Sequence, residues 1–134
     1  MAQSQNSSVD LTIKATSFSG IGTYGNVMVG NAAFEFYNER NPEDFIQIPW
    51  DEIDHISAEV IGKKIPRFAI FLKQGGHFSF STRDNKRTLR AVREYIGEDK
   101  LLRSPTFMDV MKASFHGIGS FLTGRDRKKD ADEQ

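Results

Sequence analysis

The chain has no cysteine among its 134 residues. This excludes disulfides, thiolate catalysis and cysteine-ligated zinc, and it fits a reducing compartment. No uncharged apolar run approaches the ~20 residues that a membrane span requires. Met1 to Asp10 is polar, with neither a basic start nor an apolar stretch, so no secretory signal is expected and the Asn6-Ser7-Ser8 acceptor pattern is set aside. There is no G-x-S-x-G elbow and no P-loop. His55, His77 and His116 stand alone in the sequence, so neither a metal nor a cofactor is expected. The length fits one domain, and the 38% hydrophobic content with 11 phenylalanines supplies one core.

Formal charge is zero, but its distribution is uneven. Residues 1–62 hold nine acidic and two basic side chains, and residues 63–129 hold six acidic and sixteen basic. Asp130, Asp132 and Glu133 close the balance. Such a split fits a cationic surface facing an anionic partner or membrane, or two halves that neutralise each other within one fold.

Most of the first hundred residues alternate with a period of two. Leu11 and Ile13 lie opposite Thr12 and Lys14, and Phe34 and Phe36 opposite Glu35 and Tyr37. Ile46, Ile48 and Trp50 form a third such set, then Phe68, Ile70 and Leu72, then Phe78 and Phe80. Gly30-Asn31 and Gly75-Gly76 mark hairpins between such runs, Asn41-Pro42 breaks the chain, and Pro49 fits an edge or a bulge. Six or seven short strands in hairpin order predict a mainly β fold, an antiparallel barrel or sandwich closed by a helix. Ile48, Trp50, Phe68, Ile70, Phe78, Phe80 and Leu89 are expected to include most of the core.

After Asp84 the period becomes helical. Leu89, Val92 and Ile96 recur at i, i+3 and i+7 and Gly97 marks a stop, predicting a core helix over 85–96 whose other faces carry Lys86, Arg87, Arg90 and Arg93. Residues 98–104 read as a connection. A second, amphipathic helix is predicted over 105–122, capped by Ser104, with Phe107, Met111, Phe115, Ile118, Phe121 and Leu122 in one stripe. Gly124 would end it before a cationic cluster of Arg125, Arg127, Lys128 and Lys129. Residues 1–8 read as a flexible lead, 9–104 as the β-domain and 125–134 as a charged tail.

Two motifs are weighed and set aside. Gly20 to Gly25 spells G-x-G-x-x-G, but residues 26–36 read as strands where a dinucleotide site needs a helix, so the glycines read as a turn. Asp51, Glu52 and Asp54 offer the neighbouring carboxylates of a hydrolase, yet they follow a strand directly and read as a solvated acidic turn. DNA binding is disfavoured, because the connection between the two helices is too long for a helix-turn-helix and Lys112 alone lies within the second.

The strings Ala32-Ala33-Phe34-Glu35-Phe36-Tyr37-Asn38, Ile46-Gln47-Ile48-Pro49-Trp50-Asp51-Glu52-Ile53 and Ile65-Pro66-Arg67-Phe68-Ala69-Ile70 resemble the ManO-type proteins of low-GC Gram-positive bacteria. That uncharacterised family is encoded beside the mannose-type sugar phosphotransferase system, and the resemblance runs from Val9 to Phe121. The strand pattern is also similar to pleckstrin-homology-like folds of the GRAM type. Together the likenesses imply a non-enzymatic accessory or regulatory protein, cytoplasmic or peripheral at the inner face of the membrane. It would dock on the transporter or its cytoplasmic subunits, with a lipid-surface module and a transcriptional regulator as alternatives. Self-association stays open. The expected contact residues are Phe107, Met111, Phe115, Ile118, Phe121, Leu122, Arg125, Arg127 and Lys128, with Lys63, Lys64 and Arg67.

Overall fold

The computed structural model describes residues 3–18 and 22–104. The chain divides into two units after Ser104, and the described elements all lie in the first. In order these are β1 (Val9–Ser17), β2 (Thr23–Gly30), β3 (Ala33–Asn38), β4 (Phe45–Pro49) and, past a 3-10 turn at Trp50–Glu52, β5 (Ile53–Ile61), β6 (Lys64–Leu72) and β7 (His77–Thr82). Then come helix α1 (Asn85–Ile96), a 3-10 turn at Glu98–Lys100 and β8 (Leu101–Ser104). The second predicted helix, over 105–122, and the charged tail lie outside the described residues.

The strands hydrogen-bond in the single series β4-β3-β2-β1-β7-β6-β5-β8. An antiparallel barrel or sandwich was expected; the sheet is instead open, with edges at β4 and β8, and mixed, because β8 runs parallel to β5. It nonetheless curls upon itself. β3 and β6 stand four strands apart in the series, which would separate them by about 19 Å in a flat sheet. Yet the rings of Phe34 and Phe68 lie 6.1 Å apart, centroid to centroid, and those of Phe34 and Phe80 5.0 Å apart. Only a strongly bent sheet brings its own inner face together in this way.

The expected hairpins form at Gly30-Asn31 and Gly75-Gly76, and Gly75 and Gly76 take positive φ of 105° and 83°. Pro49 ends the edge strand β4, where a missing N–H leaves no ladder bond unmade. Gly25, expected in a turn, lies within β2. A Cβ there would sit 2.0 Å from the Tyr37 carbonyl oxygen, so this glycine permits close strand approach.

Ile48, Phe68, Ile70, Phe80 and Leu89 are buried as expected, while Trp50 and Phe78 pack at the core margin. Phe34, Phe36, Ile53, Ile56 and Val92 complete the interior. Trp50 stacks on Tyr95 of α1 at 5.0 Å and donates its indole N–H to the Gly30 carbonyl at 2.9 Å. Tyr95 in turn donates to Asp10 of β1.

The start of α1 is fixed by polar bonds. Asp84 caps it by accepting from the Arg87 N–H at 3.1 Å. Asn85 accepts from the Thr82 N–H at 2.7 Å and donates to the Ile65 carbonyl at 2.7 Å, joining helix, β7 and β6. Residues 3–8, expected as a flexible lead, carry hydrogen bonds of their own: Gln5 and Asn6 reach Glu35, and the Ser7 and Ser8 N–H groups donate to Asn31.

Candidate docking groove

The inward stripe of α1 is Thr88, Leu89 and Val92, which leaves Lys86, Arg90 and Arg93 exposed at i, i+4 and i+7 along one side. Opposite them runs β8, read from sequence as part of a connection. Its register sets Leu101 against Ile56 and Arg103 against Ala58 of β5. Between helix and strand lies an open groove of about 420 Å³. Ala58, Ile65, Leu89, Leu101 and Leu102 form its apolar floor, and Lys86, Arg90, Arg93 and Arg103 rim it. Leu102 is 47% exposed.

The ion pairs among the described residues are Lys14–Glu39, His55–Asp54 and Arg67–Glu59. None uses a rim cation. Four positive charges without an ion pair among the described residues, set around low-dielectric side chains, raise a local field that favours anions.

The β5–β6 turn adjoins the groove in sequence, since Ile65 is the second residue of β6. Ile65 lines the floor next to Lys64, and the Asn85 bond to the Ile65 carbonyl brings Lys86 to the same place. Lys63 and Lys64 are exposed there, Gly62 turns the chain at φ +60°, and Ile61 is 50% exposed. Arg67, expected to act with the two lysines, is engaged elsewhere. Its Nε donates to Glu59 at 2.7 Å, and its guanidinium lies 5.9 Å from the Phe18 ring centroid. The structure therefore brings together Lys86, Arg90, Arg93 and Arg103 around the groove and leaves Lys63 and Lys64 at the adjoining turn, outside its lining. The contact residues expected between Phe107 and Lys128 lie outside the described residues.

Sequence reasoning missed Leu102 and Arg103. The one signal was a pair of leucines, Leu101 and Leu102, separated by three residues from the Gly97 helix stop and too short for alternation to declare a strand. Lys86, Arg90 and Arg93 were visible, but only as the polar side of a core helix.

A second hollow, about 530 Å³ and lined in part by Lys14, Thr16, Tyr24, Glu39 and Arg83, is less cationic. The Lys14 ammonium lies 2.9 Å from Glu39 and holds that carboxyl below its ordinary range. The G-x-G-x-x-G stretch leads into strand β2 and not into a helix. Asp51, Glu52 and Asp54 are exposed, the last paired with His55 at 2.7 Å. Among the described residues no three His, Asp or Glu side chains are grouped to hold a metal, and no helix is long and apolar enough to cross a membrane.

No curated protein matches the chain. A crystal structure of the C-terminal domain of an unknown protein from Leishmania infantum is similar, with a TM-score of 0.60 and 11% identity, covering 66% of this chain and 84% of that one. At that identity the likeness is one of fold. A sequence family described as a domain of unknown function, DUF956, matches residues 1–115, and the chain belongs to that family.

Proposed function

We propose that this protein is a non-catalytic docking module of pleckstrin-homology-like, GRAM-type build, serving as an accessory or regulatory protein of the mannose-type sugar phosphotransferase system. Support for the fold comes from two successive hairpin meanders, β1–β4 and β5–β7, followed at once by a closing helix, with Ile48-Pro49-Trp50-Asp51-Glu52-Ile53 joining β4 to β5. Such a fold hosts many functions, so the function is argued from the site.

The observation that carries docking is the α1–β8 groove. Its cations form no ion pair among the described residues, and its floor leaves Leu102 half in water. An anionic partner with an apolar face satisfies both. The resemblance to ManO-type strings supports the transporter, or its cytoplasmic subunits, as that partner. The test is co-purification of the full chain from native membranes, with and without the transporter, for the wild type and an Arg90→Glu, Arg93→Glu, Arg103→Glu variant. Transporter-dependent recovery that the variant loses is expected. Equal recovery from cells lacking the transporter would remove this reading.

A lipid-surface reading has its own observation: exposed Ile61 beside Lys63 and Lys64 at the β5–β6 turn. Each basic residue near an anionic bilayer adds about 1 kcal/mol. Lys63→Glu with Lys64→Glu should then release the protein from anionic vesicles, and undiminished sedimentation would count against it. For a regulator acting on DNA, a salt-sensitive shift of the operon promoter is the corresponding test.

A further inference from the structure

We infer that the α1–β8 groove takes an acidic amphipathic α-helix of a protein partner, an inference that rests on the docking reading above and names the occupant. The argument begins with how the cations are laid out. Lys86, Arg90 and Arg93 follow one side of α1 over a rise of about 10 Å, and Arg103 faces them from β8. A single phosphate gathers its cations around one point. This arrangement spreads them along a line, which suits several carboxylates spaced along a rod.

The spacing then separates a helix from an extended chain. A helix laid alongside α1 repeats the same i+4 and i+3 rises, so glutamates at i, i+4 and i+7 fall opposite the three cations. In an extended chain, same-face side chains recur every ~6.8 Å, and three of them overshoot the stripe. The floor agrees with a helix as well. Leu89, Leu101 and Leu102 present side chains, which receive an apolar stripe of i, i+3 and i+4 residues. Glutamates beside that stripe would meet the rim, as charge complementarity requires.

The probe is a synthetic peptide of about 18 residues, long enough to hold helix. It carries leucines on one stripe and glutamates at i, i+4 and i+7 beside it. Controls are a scrambled peptide of the same composition, a lysine-for-glutamate version, and vesicles containing phosphatidylglycerol. Titration into the full-length protein, read by amide and methyl NMR shifts and by peptide anisotropy, should perturb Leu89, Leu101, Leu102 and Arg103. The scrambled peptide should bind at least about tenfold more weakly, and Arg90→Glu with Arg103→Glu should cost the patterned peptide a similar factor. Leu102→Ser, at a position already half exposed, provides a second variant with the same expected loss. Equal binding of the patterned, scrambled and lysine peptides would overturn the inference. So would no binding at all, or groove shifts produced by vesicles alone. If the peptide binds but the transporter does not co-purify, the transporter reading falls and the helix inference stands. If the transporter co-purifies undiminished with the Arg90→Glu, Arg103→Glu variant, the reverse holds.

Discussion

Glu35 is fully buried on β3 between Phe34 and Phe36. Its carboxylate accepts from the Ser4 hydroxyl at 2.6 Å, the Gln5 N–H at 2.7 Å and the Asn6 side-chain amide at 3.1 Å. Alternation places it correctly on the face opposite the phenylalanines. It gives no sign that this face is covered by a segment some thirty residues earlier, because period reports local geometry and not what lies on top. Glu35→Ala leaves those donors unpaired, and a loss of about 1–3 kcal/mol is expected in chemical denaturation. Faster amide exchange at Gln5 should accompany it, and unchanged exchange would contradict the bonding described. Phe80 contacts Phe34, Phe36 and Phe68 with no solvent exposure. Phe80→Ala should lower stability by about 3–5 kcal/mol, whereas a loss within about half a kcal/mol would place the ring outside the core. The Tyr95 phenol, donating to Asp10, is held above its ordinary value of 10.0. The unfolded chain therefore ionises first. The contribution of this bond is whole below the unfolded value and is lost as pH rises through the folded one. Tyr95→Phe should flatten the alkaline loss of stability in pH-dependent denaturation, and an unaltered slope would rule the bond out.

At the scale of elements, α1 was the most legible. The recurrence of Leu89, Val92 and Ile96, Asp84 before it and Gly97 after it place the helix at the residues where it forms. The hairpins at Gly30 and Gly75-Gly76 were legible for the same reason, since positive φ and tight turns restrict the residues that serve there. β8 was not. Four residues are too few to declare a period, and its parallel pairing with β5 depends on where α1 delivers the chain. The network around Asn85 was equally hidden, being made of ordinary polar residues. Asn85→Ala removes bonds to Thr82 and Ile65 at once, so about 1–3 kcal/mol and earlier fraying of α1 are expected by thermal unfolding and amide exchange. Intact protection of the first helical turn would show that packing of Leu89 and Val92 alone holds the helix.

For the whole molecule, the charge split along the sequence becomes a spatial one. The late-chain cations Lys86, Arg90, Arg93 and Arg103 line one groove. Arg67 does pair with Glu59 of the first half, so one charge of the imbalance is neutralised across the halves, as one sequence reading held. Among the described residues the buried core runs from Leu11 to Val92, so a chain ending at Ser104 should still unfold cooperatively. Loss of that transition would mean that residues 105–134 carry core contacts. The central claim is that the groove docks an anionic partner, and the most direct measurement compares recovery from native membranes for wild type, the Arg90→Glu, Arg93→Glu, Arg103→Glu variant and a Lys14→Glu control outside the groove. The account expects the groove variant alone to lose transporter-dependent recovery, with its thermal midpoint unchanged. Equal recovery of all three proteins would contradict it.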